Sequence, residues 1–469
     1  MEDRGVRLDK WGYEVKTSSD ACIAAINSYY HQVLSYGRTR RIILDAPEHD
    51  ANCVLANILA AHFLTSSSPS RVSQYLQAAS SKLEVATKYE RAVFEVISYL
   101  ISSDKSEDSC VELHFKLLEE FPKDLVSLKR AQILCFYMGK PDKSLDLVQK
   151  VLPMNENQDY IYGMLAFPLL ELGRMAEAEK AARKGFQINT HDFWSQHAIC
   201  HVLQHECRFK EAVKFMEDCS STWASCSSFM LTHNWWHVAL CYLEAGCPIK
   251  KVLQVYDDHI SKELEKDDAA STEVCLNALG LMLRLHVRGE LEALSDRMKI
   301  LSERVSDPSH WHQEFHLDMY IIWALNFLGD HSKADDVMNG LKSRISKKSQ
   351  KAQQLMHRGI LLAEAVYEYG KSNNERAYEL LGPNFDASEC KIVGASGEQL
   401  AVFDEMWYRI LLNCGRALEA AEILERRIHE RQIPLLWHLL AEAYAMAARP
   451  EATTATTKAA NLVSLFSCS

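Results

Sequence analysis

The chain has 469 residues, 48% of them hydrophobic and 25% charged, with a formal net charge of −11. That is more chain than one compact core takes, and it contains no long basic tract to neutralise phosphates, so the reading excludes nucleic acid and attraction to an anionic membrane as partners. Fourteen cysteines without a Cys-x-x-Cys pair read as buried free thiols in a reducing compartment.

The opening segment, Met1 to Lys16, carries Glu2, Asp3, Asp9 and Glu14 and no apolar core, so it fits neither a signal nor a transit peptide. No stretch reaches the roughly 18 apolar residues of a membrane span. The expected location is the cytoplasm. Eleven prolines and 18 glycines among abundant Ala, Leu, Glu and Lys make helix the default element. Residues 1–90 read as an N-terminal helical capping region, with a loop and helix start at Ser66-Ser67-Ser68-Pro69-Ser70.

A 34-residue period follows. Gly139 and Gly173 mark turns one period apart, and the same step reaches Lys105 backwards and Cys207 forwards. Five places after each turn stand Cys110, Ser144, Ala178 and Ala212, all small. Eight before it stand Ile97, Ala131, Leu165 and Ile199, and four before it Ile101, Cys135, Leu169 and Leu203, all apolar. A small residue early in a second helix lets it approach the first closely, while the apolar columns fill the space between stacked pairs. These columns resemble the tetratricopeptide repeat over about Arg91 to Ser228, with a fifth unit near Thr232 and looser ones near Cys275, Phe315, Ala401 and Pro434. The expected fold is all-α, a tetratricopeptide-like α-solenoid of antiparallel helix pairs. Residues 91–260 hold the best-phased repeats, and residues 261–469 hold degenerate repeats and a C-terminal cap of one continuous superhelix. Gly382-Pro383 and Gly394-Ala395-Ser396-Gly397 bracket a long loop, and Ala452 to Ala460 reads as the cap of the last helix.

Five histidines fall between residues 197 and 237. His197 and His201 are spaced i, i+4, as are His233 and His237, so each pair shares a helix face. In the repeat register both pairs lie on consecutive first helices, which places them across one concave groove beside Trp194, Trp236, Tyr162 and Phe167. Four imidazoles on neighbouring helices suit a divalent transition metal, and no cofactor other than such a metal is implied. His-Glu-x-x-His, phosphate loops, dinucleotide glycine fingerprints and nucleophile elbows are absent.

Asp192-Phe193-Trp194-Ser195-Gln196-His197, His201, the segment Thr232-His233-Asn234-Trp235-Trp236-His237-Val238-Ala239-Leu240 and Tyr256-Asp257-Asp258-His259-Ile260 resemble the tetratricopeptide repeat protein 38 family. The resemblance spans most of the chain and implies a tetratricopeptide-like superhelix, with no established activity attached. It also implies acidic partners that this chain lacks: Gln204 stands for a Glu, Asn277 for an Asp, and Leu400-Ala401 for an Arg-Asp pair. Two functions follow. One is a non-enzymatic module that binds a protein or peptide in a groove of Trp194, His197, His201, His233, Asn234, Trp236 and His237. The other is a metal- or small-molecule-binding protein, hydrolase-like if an enzyme, built on His197, His201, His233 and His237.

Overall fold

The computed structural model describes residues 5–466, so Glu2 and Asp3 of the opening segment and Cys468 lie outside it. The fold is an all-α solenoid of helix pairs, and the chain forms two compact units. One takes the chain up to Ala198 with Ser225–Ser227. The other takes Ile199–Ala224 and everything from Ser228 onward.

The first unit opens on a two-stranded antiparallel ribbon, Arg7–Leu8 against Glu14–Val15, with Arg7 opposite Val15. It continues through α1 (Asp20–Leu34), α2 (Val54–Ser67), α3 (Lys88–Leu100), α4 (Glu107–Glu120), α5 (Leu125–Tyr137), α6 (Pro141–Val151), α7 (Ile161–Glu171) and α8 (Met175–Ile188). Thr87 and Glu90 form a capping box that starts α3. The fully buried Glu90 carboxylate also accepts from the Lys16 and Leu55 backbone N–H groups at 3.0 and 3.3 Å. Trp11 stacks on Tyr30 at 4.1 Å, and one apolar core runs from Trp11 to Trp194. Residues 1–90 therefore share the core of the first repeats and have none of their own. The small-residue column is buried, with Ala178 fully enclosed between α7 and α8, which is the close approach that the sequence pattern calls for.

Three of the four turn positions share one backbone mechanism, while at Lys105 no left-handed residue stands and α3 has already ended at Leu100. Gly139 and Gly173 adopt φ of +63° and +72°. The next N–H reaches back five residues, Lys140 to the Cys135 carbonyl and Arg174 to the Leu169 carbonyl, both at 2.9 Å. This is the Schellman C-cap, whose left-handed residue is normally glycine because a Cβ is disfavoured there. Cys207 holds the same place with φ +59°, and Arg208 N–H closes on the Leu203 carbonyl at 2.8 Å. The predicted register thus holds even where glycine is missing.

The division between the units falls inside α9 (Phe193–His205). The second unit continues with α10 (Phe209–Ser220), α11 (Ser228–Glu244), α12 (Ser271–Val287), α13 (Phe315–Phe327) and α14 (Gly397–Asn413), with further helices between and after them. Here the cap recurs at Gly246, Gly289, Gly329, Ser372, Gly415 and Ala448. The steps between successive caps lengthen to 39–43 residues up to Gly415, with 33 for the last, and the helices grow, α11, α12 and α14 each having 17 residues. The loop that opens at Gly382 contains a 3-10 turn, Ala387–Val393, and ends at Ser396, which caps α14. The Thr- and Ala-rich stretch from Ala452 does not stop at Ala460 but continues as helix to Phe466. Every described cysteine is a free thiol, and no described helix is long and apolar enough to cross a membrane.

Candidate metal centre

His233 and His237 project from one face of α11, and His201 projects from α9 in the second unit. The His201 and His237 ring centroids lie 4.2 Å apart, and those of His233 and His237 lie 4.9 Å apart. His197 sits one turn before His201 on the same helix, and one ligand nitrogen from each of the four lies within 4.8 Å of the others. Tetrahedral zinc with Zn–N bonds of roughly 2.0–2.1 Å sets its ligand atoms about 3.4 Å apart, so the cluster needs only side-chain adjustment to close on an ion.

The far side of each ring decides which nitrogen faces the cluster. Thr232 spends its hydroxyl proton on the Ser228 carbonyl at 2.7 Å, so its oxygen accepts from Asn277 Nδ2 at 2.8 Å. Asn277 Oδ1 must then accept from His233 Nδ1, 2.8 Å away. The same logic fixes His237. Arg431 holds Glu244 at 2.7 Å, Glu244 accepts from Gln204 Nε2 at 3.0 Å, and Gln204 Oε1 therefore faces His237 Nδ1 at 2.9 Å. His201 Nδ1 lies 2.8 Å from Glu398 Oε1. In all three rings Nδ1 carries the proton and Nε2 is the basic nitrogen, the tautomer that metal-ligating histidines adopt.

For His233 electrostatics favours the same state. Burial pushes the His233 imidazole down to about 4; the Asn277 hydrogen bond opposes this and the neighbouring His201 adds to it, so His233 is neutral at pH 7. Burial alone would raise Glu398, but the adjacent His201 outweighs it and holds the carboxyl at about 2. Glu244 behaves alike: burial raises it, and the charge of Arg431 brings it below the usual range.

The sequence expectation sets the histidines and their aromatic neighbours along one open groove. The structure divides and buries them. Trp194 packs in the first unit between Tyr36 and Phe167, with both ring pairs at 5.5 Å, while Trp236 lies in the second unit, stacked on His233 at 5.2 Å. Trp194, Trp236, Tyr162 and the four histidines are each 5% exposed or less, and Asn234 is fully buried. Within the second unit, the start of α14 carries Glu398 to His201. Asp318, on α13, is engaged by His312 Nδ1 at 2.8 Å.

Glu398, Glu244 and Arg431 escaped the sequence reading. Glu398 and Arg431 stand 197 and 187 residues from His201 and Glu244, and Glu244 stands 40 from Gln204, so no local spacing marks them. Gln204 and Asn277, which stand where the resemblance expects acids, keep the positioning role with neutral amides.

No family model matches the chain. Among solved structures, the human IFIT1 dimer with m7Gppp-AAAA matches at 13% identity and a TM-score of 0.40, covering 96% of this chain and 91% of that one. The human IFIT1 dimer with PPP-AAAA matches at 14% identity and a TM-score of 0.36, covering 95% of each. The likeness is one of helical-repeat fold. It corrects one reading: helical-repeat chains are seen with capped and triphosphate RNA, so this chain's acidic net charge is no ground for excluding nucleic acid. A charge summed over the whole molecule does not describe the local field inside it.

Proposed function

We propose that this chain is a metal-binding helical-repeat protein, in which His201, His233 and His237, joined by His197, hold one divalent transition metal. The observation that supports the reading is the clustering of one ligand nitrogen from each of the four histidines within 4.8 Å, with Asn277 and Gln204 on Nδ1 of His233 and His237 and Glu398 2.8 Å from Nδ1 of His201. Neutral imidazoles suit zinc, copper, nickel, cobalt or iron(II), whereas magnesium and calcium prefer oxygen ligands. Three histidines leave a fourth position for water or a ligand, and His197 closes that position when it binds. His233, already neutral at pH 7, loses no proton on binding, which favours affinity. The burial of the aromatic set counts against a peptide groove at these side chains.

The test is metal analysis of full-length protein, stripped with chelator, reconstituted with Zn2+ or Co2+ and desalted. The expected result is one ion per chain, with the ion lost in His237→Ala. Less than about 0.1 ion per wild-type chain after reconstitution sinks the reading. Bound metal also raises stability, by about 2.7 kcal/mol at a free concentration 100 times Kd.

A further inference from the structure

One side chain reaches the ends of both helices that carry His201 and His237. Arg431 stands in the turn between α15 (Ala417–Glu430) and α16 (Pro434–Met446), within the second unit. Its guanidinium donates from Nη2 to the Gln204 carbonyl at 2.5 Å and from Nε to the His205 carbonyl at 3.2 Å, on the last two residues of α9. It also grips the buried Glu244, the last residue of α11, from Nη1 to Oε1 at 3.1 Å and from Nη2 to Oε2 at 2.7 Å. Four of the five N–H donors of an arginine are thereby engaged.

The last carbonyls of an α-helix have no partner inside it, and the negative end of its dipole favours a cation. The C-terminal ends of α9 and α11 both lie at this guanidinium, so one group ties the two helices together. The same fork fixes what stands behind it. A carboxylate only accepts, so Glu244 takes the Gln204 Nε2 proton at 3.0 Å and leaves Gln204 Oε1 toward His237 Nδ1 at 2.9 Å. An amide released from Glu244 can turn over and offer its N–H to Nδ1. His237 then carries its proton on Nε2, and that nitrogen is closed to a metal.

Resting on the metal reading above, we infer that Arg431 is a positioning residue of the histidine centre, so that the affinity of the centre depends on the seating of the α15–α16 turn. The turn supplies no ligand. It acts by clamping α9 to α11 and by setting the His237 tautomer. The dependence is reciprocal: an ion on the histidines strengthens the hold on the turn.

Full-length protein labelled with 15N-histidine and freed of metal reports the tautomer by NMR, the His237 signal being the one lost in His237→Gln. Wild type should be protonated at Nδ1. Arg431→Ala and Glu244→Gln should each move His237 toward the Nε2–H form. Co2+ affinity should fall about tenfold or more in Arg431→Ala, the usual range for a residue behind a metal ligand. Combining the two changes should weaken Co2+ no further than the larger single effect, because both break one relay. If Arg431→Ala does not fold, Glu244→Gln carries both readouts. A His237 tautomer unchanged in the folded variants overturns the clamp, and so does Co2+ bound as tightly by the variants as by wild type; either leaves the centre standing. Wild type that takes up no Co2+ removes the metal reading and overturns the affinity claim with it, while the metal-free spectra still decide whether Arg431 sets the tautomer.

Discussion

The two units solve the stacking problem differently. In the repeats of the first, caps stand 34 residues apart at 139 and 173, helices α3–α8 have 11–14 residues, and small residues close the contacts. Its buried polar groups act singly, as caps or tethers: Glu90 closes a helix start, and Asp124 caps α5 while accepting from Tyr89. In the second unit the period stretches to about 40, core helices reach 17 residues, and titratable side chains collect on neighbouring seams. The 17-residue helices carry His233, His237, Asn277, Arg284 and Glu405, so the buried polar groups of this unit stand on neighbouring elements.

The largest test of that contrast breaks the Arg284–Glu405–Arg288 cluster, in which no side chain exceeds 8% exposure. Glu405→Ala leaves two buried arginines without their carboxylate and should cost about 3–5 kcal/mol in urea unfolding. A loss under about 1 kcal/mol would mean that the second unit relaxes freely around its charges.

Acid should separate the units next. Burial pushes His233 and His286 down to about 4 and His316 to about 3, while in the first unit His114 falls to about 4 and His62 is lowered too. The unfolded chain takes up these protons near pH 6.5, but the folded one refuses them until much lower pH. The stability present above pH 6.5 is therefore lost as the pH falls toward 4, by roughly 1.4 kcal/mol per pH unit for each such ring. Hydrogen exchange at pH 7 and pH 5 should show protection in α11–α13 dropping further than in α5–α8. Equal losses in both units would contradict the assignment, and saturating zinc at pH 7 should raise protection in α9 and α11 above that in α5–α8.

Smaller effects probe the regular unit. Ala178→Leu should overpack the α7–α8 contact by about 1–3 kcal/mol, read as a lower urea midpoint. Gly173 meets nothing within 4 Å of an added Cβ, so Gly173→Ala isolates the backbone term and should cost about 1 kcal/mol. Cys207→Gly should return a similar amount, because it removes a Cβ from the same left-handed position. If the two changes shift thermal melting in the same direction, the shared cap is the wrong explanation.

The first unit was legible because its information is local. A small residue five places after a turn and a glycine at the turn are constraints that a helix pair imposes on itself. The i, i+4 histidines were legible for the same reason, as faces of single helices. Depth was not. Periodicity says which side chains share a face, and nothing about whether a later segment covers it. Here residues 396–399 cover His201, so an expected groove is an interior. Gln204 and Asn277 looked like losses of acidic partners, yet an amide oxygen held by Glu244 or Thr232 fixes an imidazole tautomer as firmly as a carboxylate does.

The contact between His201 and Glu398 has a further meaning on the ribosome. Residue 398 is made 161 residues after His237. At 5–20 residues per second that is a delay of roughly 8–32 s. During this interval the imidazoles of α9 and α11 are already synthesised, while the carboxylate that orients His201 does not yet exist. An ion that binds early meets a looser and less negative cluster than one that binds after release. Which metal the chain acquires is then set in part by the order in which its residues are born.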